Sequence, residues 1–276
     1  MMSITKNIDK IRKFVASRKY LTQVLGPQYY YFLLLTFLKK TKITYDDISF
    51  EIYLRRDERA ADIIRGKCYE PAVTRLIWDM LEDDSVFWDI GGYVGYYTLL
   101  AAKKIRDSRN IHVFEPSPIN IILRFNINSF GVNAKLNTFY VDSLTDLEKH
   151  RISGDYYAEK SGVLPDMIKI DVEGWEIEAL KGMNKTIRRK PLLLIEVHPI
   201  HISSIFHGNH EFIFNYLSDM GYSIVQLIDF RNLNWGLKSI EDPSDLPISP
   251  PNYNYVLFCH AHEHSERLSK YEHRWK

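Results

Sequence analysis

Ser85-Val-Phe-Trp-Asp89-Ile-Gly91-Gly92-Tyr93-Val-Gly95-Tyr-Tyr-Thr98-Leu-Leu-Ala-Ala-Lys-Lys-Ile105 passes from a short apolar segment through a glycine turn into a helical segment. It predicts a strand over Ser85–Ile90 and a helix over Tyr96–Ile105. Glycine lets the backbone turn sharply and approach a ligand with no Cβ in the way. The helix that follows presents unpaired N–H groups at its start. In open α/β sheets, ligands bind at such carboxyl ends of strands. Gly91, Gly92 and Gly95 do not fit the Gly-x-Gly-x-x-Gly pattern of dinucleotide enzymes, and no Gly-Lys-Ser/Thr of a phosphate loop follows.

The same alternation continues outward. Strands are predicted at Asn110–Phe114, Met167–Ile170 and Leu192–Val197, with helices at Pro118–Phe130 and from Glu176 to Leu180. A helix at Glu211–Met220 and strands at Tyr222–Leu227 and Tyr253–His260 complete the pattern, and proline-rich Pro243–Pro251 reads as a loop. Short apolar strands divided by helices imply a mostly parallel sheet covered on both faces, an α/β fold. Upstream, residues 43–84 read as a connecting segment, with a strand at Ile48–Leu54 and a helix from Pro71 to Leu81. The expected organisation is a helical leader at 1–42, this connection, a catalytic domain at 85–260 and an exposed polar tail at 261–276.

The strand ends carry the candidate chemistry. Glu115 follows the second strand, 20 residues after Gly95. A carboxylate there can accept hydrogen bonds from the hydroxyls of a ribose, or only cap the helix opened by Pro116-Ser117-Pro118. Asp171 and Glu173 end the Met167–Ile170 strand and project differently if the strand continues. Two carboxylates alone would also suit a divalent metal or glycoside hydrolysis, which the glycine turn and Glu115 do not favour. Glu196 and His198 end the next strand, where a histidine can accept a proton near neutral pH. His201 and His207 are weaker candidates.

Apolar residues are 45% and charged residues 26% of the 276, enough for a packed core. The net charge of +1 is unevenly spread: residues 1–42 hold nine Lys or Arg and a single acid, Asp9. A basic, aromatic leader suits either an anionic surface such as a membrane or the acidic body of its own chain. The apolar run Tyr29–Leu38 is 10 residues, against about 20 for a membrane crossing. Cys68 and Cys259 are far apart and lack metal-ligand spacing, so neither a disulfide framework nor a metal site is indicated, and a cytoplasmic setting is expected.

Taken together, Val86-Phe-Trp-Asp89-Ile-Gly91-Gly92-Tyr93-Val-Gly95, Val113-Phe-Glu115-Pro116, Ile168-Lys-Ile-Asp171-Val-Glu173-Gly174 and Pro191-Leu-Leu-Leu-Ile-Glu196-Val-His198-Pro199 resemble the motifs of FkbM-type methyltransferases, over roughly residues 66–200. The resemblance implies a class I, Rossmann-like sandwich with a seven-stranded sheet whose last strand is antiparallel. It implies S-adenosylmethionine as cofactor, with Asp89, Gly91, Gly92, Tyr93 and Gly95 on its methionine side and Glu115 and Pro116 at the ribose. Asp171 and Glu173 would line the cleft near the methyl donor, and Glu196 and His198 would face the acceptor. It further implies O-methylation of a sugar or other small hydroxylated acceptor.

Two departures stand out. Tyr93 occupies a position where the family usually has Asn. The interval Gly131–Tyr140 is short, so a strand and the next acidic cofactor motif look trimmed, with Asp142 as a substitute for the missing acid. A hydroxyl acceptor must lose its proton, and His198, oriented by Glu196, is the expected acceptor of it. Two rival readings are a nucleic-acid methyltransferase, which lacks a visible recognition module, and a binding protein that kept the fold without turnover.

Overall fold

The computed structural model describes residue 35 and residues 38–55, 68–247 and 254–275. Most of the leader, including Tyr29–Tyr31, lies outside them. So do residues 66 and 67, where the resemblance begins, and residues 248–253, which take in the end of the Pro243–Pro251 loop.

An antiparallel hairpin comes first, β1 (Leu38–Tyr45) and β2 (Ile48–Arg55). The expected helical leader is therefore corrected at residues 38–42, which are strand. Every second residue of β2 (Ile48, Phe50, Ile52, Leu54) is buried, the period-two pattern of a half-covered ribbon, and Ile43 of β1 joins them. Helix α1 (Pro71–Met80) opens with proline in its first turn, where no intrahelical N–H is needed.

The main sheet alternates with helices in chain order: β3 (Phe87–Ile90), α2 (Tyr96–Lys104), β4 (Ile111–Phe114), α3 (Asn120–Ser129) and β5 (Lys135–Asn137). A small parallel pair follows, β6 (Tyr140–Val141) and β7 (Arg151–Ile152), then α4 (Gly154–Ser161). The chain continues through β8 (Met167–Ile170), α5 (Glu176–Lys181), α6 (Asn184–Ile187), β9 (Leu192–Val197), α7 (Pro199–Phe206) and α8 (Glu211–Asp219). It closes with β10 (Ser223–Ile228), β11 (Gly236–Ile240) and β12 (Tyr255–His260).

The strand order is β11-β10-β12-β9-β8-β3-β4-β5. The run from β9 to β5 is parallel, and β12 lies antiparallel between β9 and β10. This is the expected seven-strand pattern with an eighth, β11, added antiparallel on the outer edge. The middle is shortened but not stripped: β5 persists as three residues paired with β4.

The sheet divides two apolar layers by side-chain alternation. Phe87, Ile111, Leu192 and Leu194 face the hairpin, α1 and α2. Trp88, Ile168, Leu193 and Ile195 face the layer built from α4, α5, α6 and α8. Strands buried on both faces read as continuous apolar runs, as the sequence does here. The expected exposed tail is corrected: residues 262–274 form 3-10 turns whose Leu268 and Tyr271 are buried in the first layer, and Tyr271 donates its hydroxyl to Asp79. A tail with only two apolar anchors shows no stripe in sequence.

Candidate active site

The parallel strands end together, and their carboxyl ends open on a cavity of about 650 Å³. That size is within the range of about 300–1,000 Å³ usual for small-molecule sites. Gly91, Gly92, Tyr93, Glu115, Pro116, Asp171, Glu173, Glu196 and His198 all line it. Asp89, Gly95 and Asp142 do not.

The glycine turn is held from several sides. The N–H groups of Gly91 and Gly92 both donate to the carbonyl of Phe114, at 2.9 and 3.2 Å. Gly91 has φ +85°, and a Cβ there would sit 1.8 Å from the carbonyl oxygen of Asp171. Its glycine thus serves the close approach of the β3 and β8 ends. Tyr93 also adopts the left-handed region, φ +47°, where an L side chain is disfavoured and Asn is tolerated best. Buried Asn126 braces the turn: its amide donates to Val94 O at 2.8 Å and Tyr53 O at 3.0 Å and accepts from Tyr53 N at 2.8 Å. The hairpin and the turn are thereby joined.

Glu115 Oε2 accepts the backbone N–H of Tyr93 at 2.8 Å, and Oε1 accepts both N–H and hydroxyl of Ser117, at 2.9 and 2.6 Å. Burial raises its pKa against those three bonds. Asp89 lies behind the turn: Oδ2 accepts from Thr98 Oγ1 at 2.7 Å, and Lys169 Nζ is 3.9 Å from Oδ1. Its role in the structure is to fix the strand end and Lys169. Asp142 is a correction to the expected acidic substitute on the cavity wall. Its carboxylate turns to Arg151, 3.2 Å away, while Phe139, Tyr140 and Val141 supply the wall.

At the other end, four acids surround one imidazole. His198 Nδ1 lies 2.8 Å from Glu176 Oε1, and Nε2 lies 3.5 Å from Glu173, 3.8 Å from Glu196 and 3.9 Å from Asp171. Asp171 and Glu173 converge here despite their alternation, because Glu173 takes φ +54° and turns the chain back. His201 stacks on His198 with ring centroids 5.6 Å apart, and His207 does not line the cavity. Burial opposes a charge on His198, but Glu176, Asp171 and Glu196 outweigh it and lift the pKa to about 9. The acids around it thus favour the charged form of the imidazole.

Glu196 accepts from Arg231 Nη2 at 2.8 Å and from Asn254 Nδ2 at 3.3 Å. Burial, with Asp171 and Glu70 nearby, still pushes it up to about 8. The Arg231 contact would act the other way, but that guanidinium is half exposed and shares itself with Glu70, so the upward direction holds.

Sequence reasoning missed Glu176, Lys169, Glu70 and Arg231. Lys169 Nζ is 3.2 Å from Asp171 Oδ2 and 4.9 Å from the Tyr97 ring centre, and the surrounding acids hold its pKa up against burial. Glu70 is buried with its Oε2 accepting from Tyr97 Oη at 2.6 Å. A lysine inside an otherwise apolar buried strand was the available signal for Lys169. Glu176 reads in sequence as an ordinary first-turn acid.

An open sheet with this strand order, a glycine turn after β3 and an acid after β4 has the class I, Rossmann-like methyltransferase fold. Residues 143–224 match the family described as Methyltransferase FkbM domain. Hexuronic acid methyltransferase AglP of Haloferax volcanii is 29% identical over an alignment covering 49% of this chain and 65% of that protein. The chain thus spans just under two thirds of that relative's length. Among solved structures, methyltransferase FkbM of Methylobacillus flagellatus KT is 17% identical with a TM-score of 0.43, over 64% of this chain and 44% of that one. M. jannaschii TYW2, solved with AdoMet, is 12% identical with a TM-score of 0.45, over 80% and 84%.

Proposed function

We propose that this protein is an S-adenosylmethionine-dependent O-methyltransferase whose acceptor is a hydroxyl of a sugar or glycoconjugate. The observation that carries the proposal is that a single cavity joins Glu115 and the Gly91–Tyr93 turn to the cluster around His198. The relative named for hexuronic acid supports a sugar-type acceptor.

The residues present fit the cofactor. Glu115 Oε2 accepts one backbone bond and retains capacity for a ribose hydroxyl, while Oε1 becomes available when the Ser117 hydroxyl turns away. When bound, S-adenosylmethionine supplies an electrophilic methyl group on a positively charged sulfur. The protein's share is alignment and exclusion of competing water. Asp171 and Glu173 suit the cationic donor, and the acceptor oxygen docks between them and His198. On methyl transfer the acceptor hydroxyl would give up its proton to a carboxylate, a role Asp171 would fill. A carboxylate suffices because an alkylated oxygen is a strong acid.

Calorimetric titration with S-adenosylmethionine and S-adenosylhomocysteine tests the proposal. Binding that is lost in Glu115→Ala is expected. A folded sample that binds neither would turn the preference to a binding protein without turnover. No helix among the described residues is long and apolar enough to cross a membrane. Contact of the basic leader with anionic lipid rests on sequence alone; it predicts vesicle sedimentation that disappears when residues 1–42 are removed.

A further inference from the structure

We propose that His198, Asp171 and Glu196 hold a divalent cation of the Mn²⁺ type at the acceptor end of the cavity. One ligand atom from each lies within 4.8 Å of the others, and all three residues sit at the ends of the adjacent strands β8 and β9. Strand ends hold such atoms more firmly than loops do.

The histidine supplies the independent observation. Its side chain is 98% buried, with only 2% exposed, yet among the described residues no hydrogen bond reaches Nε2. The three nearest carboxylates stand 3.5–3.9 Å from that atom, beyond ordinary hydrogen-bond length. Nδ1, by contrast, is tied at 2.8 Å to fully buried Glu176, itself fixed by the N–H of Gly174 at 2.9 Å. A buried carboxylate on one ring nitrogen sets the tautomer and turns the other nitrogen's lone pair toward a metal.

Arg231 and Asn254 both take Glu196 through Oε1, so Glu196 keeps Oε2. Metal–ligand distances of about 2.1 Å require the donors to draw closer, which rotation of the partly exposed Asp171 side chain allows. One imidazole with carboxylates and no thiolate selects a hard to borderline ion. Positions left open would take oxygens of the acceptor and acidify its hydroxyl. That use rests on the methyl transfer proposed above; the cation site does not.

The test is titration of Mn²⁺ alone into the full chain, with free Mn²⁺ read by electron paramagnetic resonance and folding by circular dichroism. One ion per chain is expected, with affinity at least about tenfold weaker in Asp171→Asn, Glu196→Gln and Glu176→Gln. The isosteric variants guard against a His198→Ala protein that does not fold. No stoichiometric uptake by the folded chain at concentrations on the order of 1 mM would overturn the site. Uptake unchanged in Asp171→Asn and Glu196→Gln would overturn it as well. Calorimetry with S-adenosylhomocysteine on the same samples separates the two proposals: Mn²⁺ uptake without it upholds the cation site and removes the methyltransferase reading.

Discussion

Glu176 and His198 form a sealed pair, with Oε1 and Nδ1 2.8 Å apart and side-chain exposures of 0% and 2%. Glu176→Gln keeps an acceptor oxygen but removes the charge. In metal-free protein, the His198 midpoint should fall from about 9 by more than one pH unit. Histidine ring signals followed by NMR titration would show it; an unmoved midpoint would mean that Asp171 and Glu196 alone hold the imidazolium.

The same cluster sets a pH dependence of stability in metal-free protein. The His198 pKa is raised from 6.5 to about 9, so its stabilisation is complete below pH 6.5 and is lost as pH rises through 9. Glu196, raised from 4.5 to about 8, favours the fold when protonated and loses that contribution between pH 4.5 and 8. Both act in one direction. Unfolding free energy should fall between pH 6 and 9, by on the order of 3 kcal/mol from His198. Urea unfolding at a series of pH values measures it, and His198→Gln should flatten the curve.

Gly91→Ala and Gly131→Ala should differ sharply, although both positions have positive φ. A Cβ at Gly91 meets the Asp171 carbonyl oxygen at 1.8 Å, while one at Gly131 meets nothing within 4 Å. Gly131→Ala should cost roughly 1 kcal/mol of backbone strain. Gly91→Ala should cost several times that or fail to fold, as thermal unfolding of the pair would record.

On the proposed cofactor site, Ser117 would compete with a ribose for Glu115. Its hydroxyl occupies Oε1 at 2.6 Å. Ser117→Ala leaves the backbone N–H bond in place and frees that lone pair, so S-adenosylmethionine should bind a few-fold more tightly, equivalent to about 1 kcal/mol or less. Calorimetry showing weaker binding would mean that the serine contacts the cofactor itself.

Asn126→Ala would leave three buried or half-buried backbone groups, on Tyr53 and Val94, without partners. A loss of about 2–3 kcal/mol is expected. Amide exchange should quicken in both the hairpin and the glycine turn, because one side chain ties them.

The sequence makes this fold legible where punctuation is strong. Gly91–Gly95, Glu115-Pro116, Asp171-Val-Glu173-Gly174 and His198-Pro199 each stop a buried apolar run, so the strand ends and their acids could be read together. Residues whose role depends on tertiary approach were not legible. Glu176 is one helical turn in sequence and a histidine partner in space. Asp142 follows its short strand as expected, yet Arg151 draws it away from the cavity wall. Strand β1 has Lys39, Lys40 and Lys42 among its first five residues beside the basic leader, which disguised it as helix. Strand β11, whose buried hydrophobic residues are Leu237 and Ile240 alone, has too little pattern to announce itself.

Strand β12, last of the sheet in chain order, occupies an interior place, between β9 and β10. During synthesis, β10 and β11 emerge before the strand that must bridge them to β9, so a nascent chain carries two unsatisfied edges until residue 260 has left the ribosome. Such edges recruit other chains. Closure of the sheet therefore waits for β12, and exposure to chaperones and to aggregation is concentrated in the interval before β12 slides in.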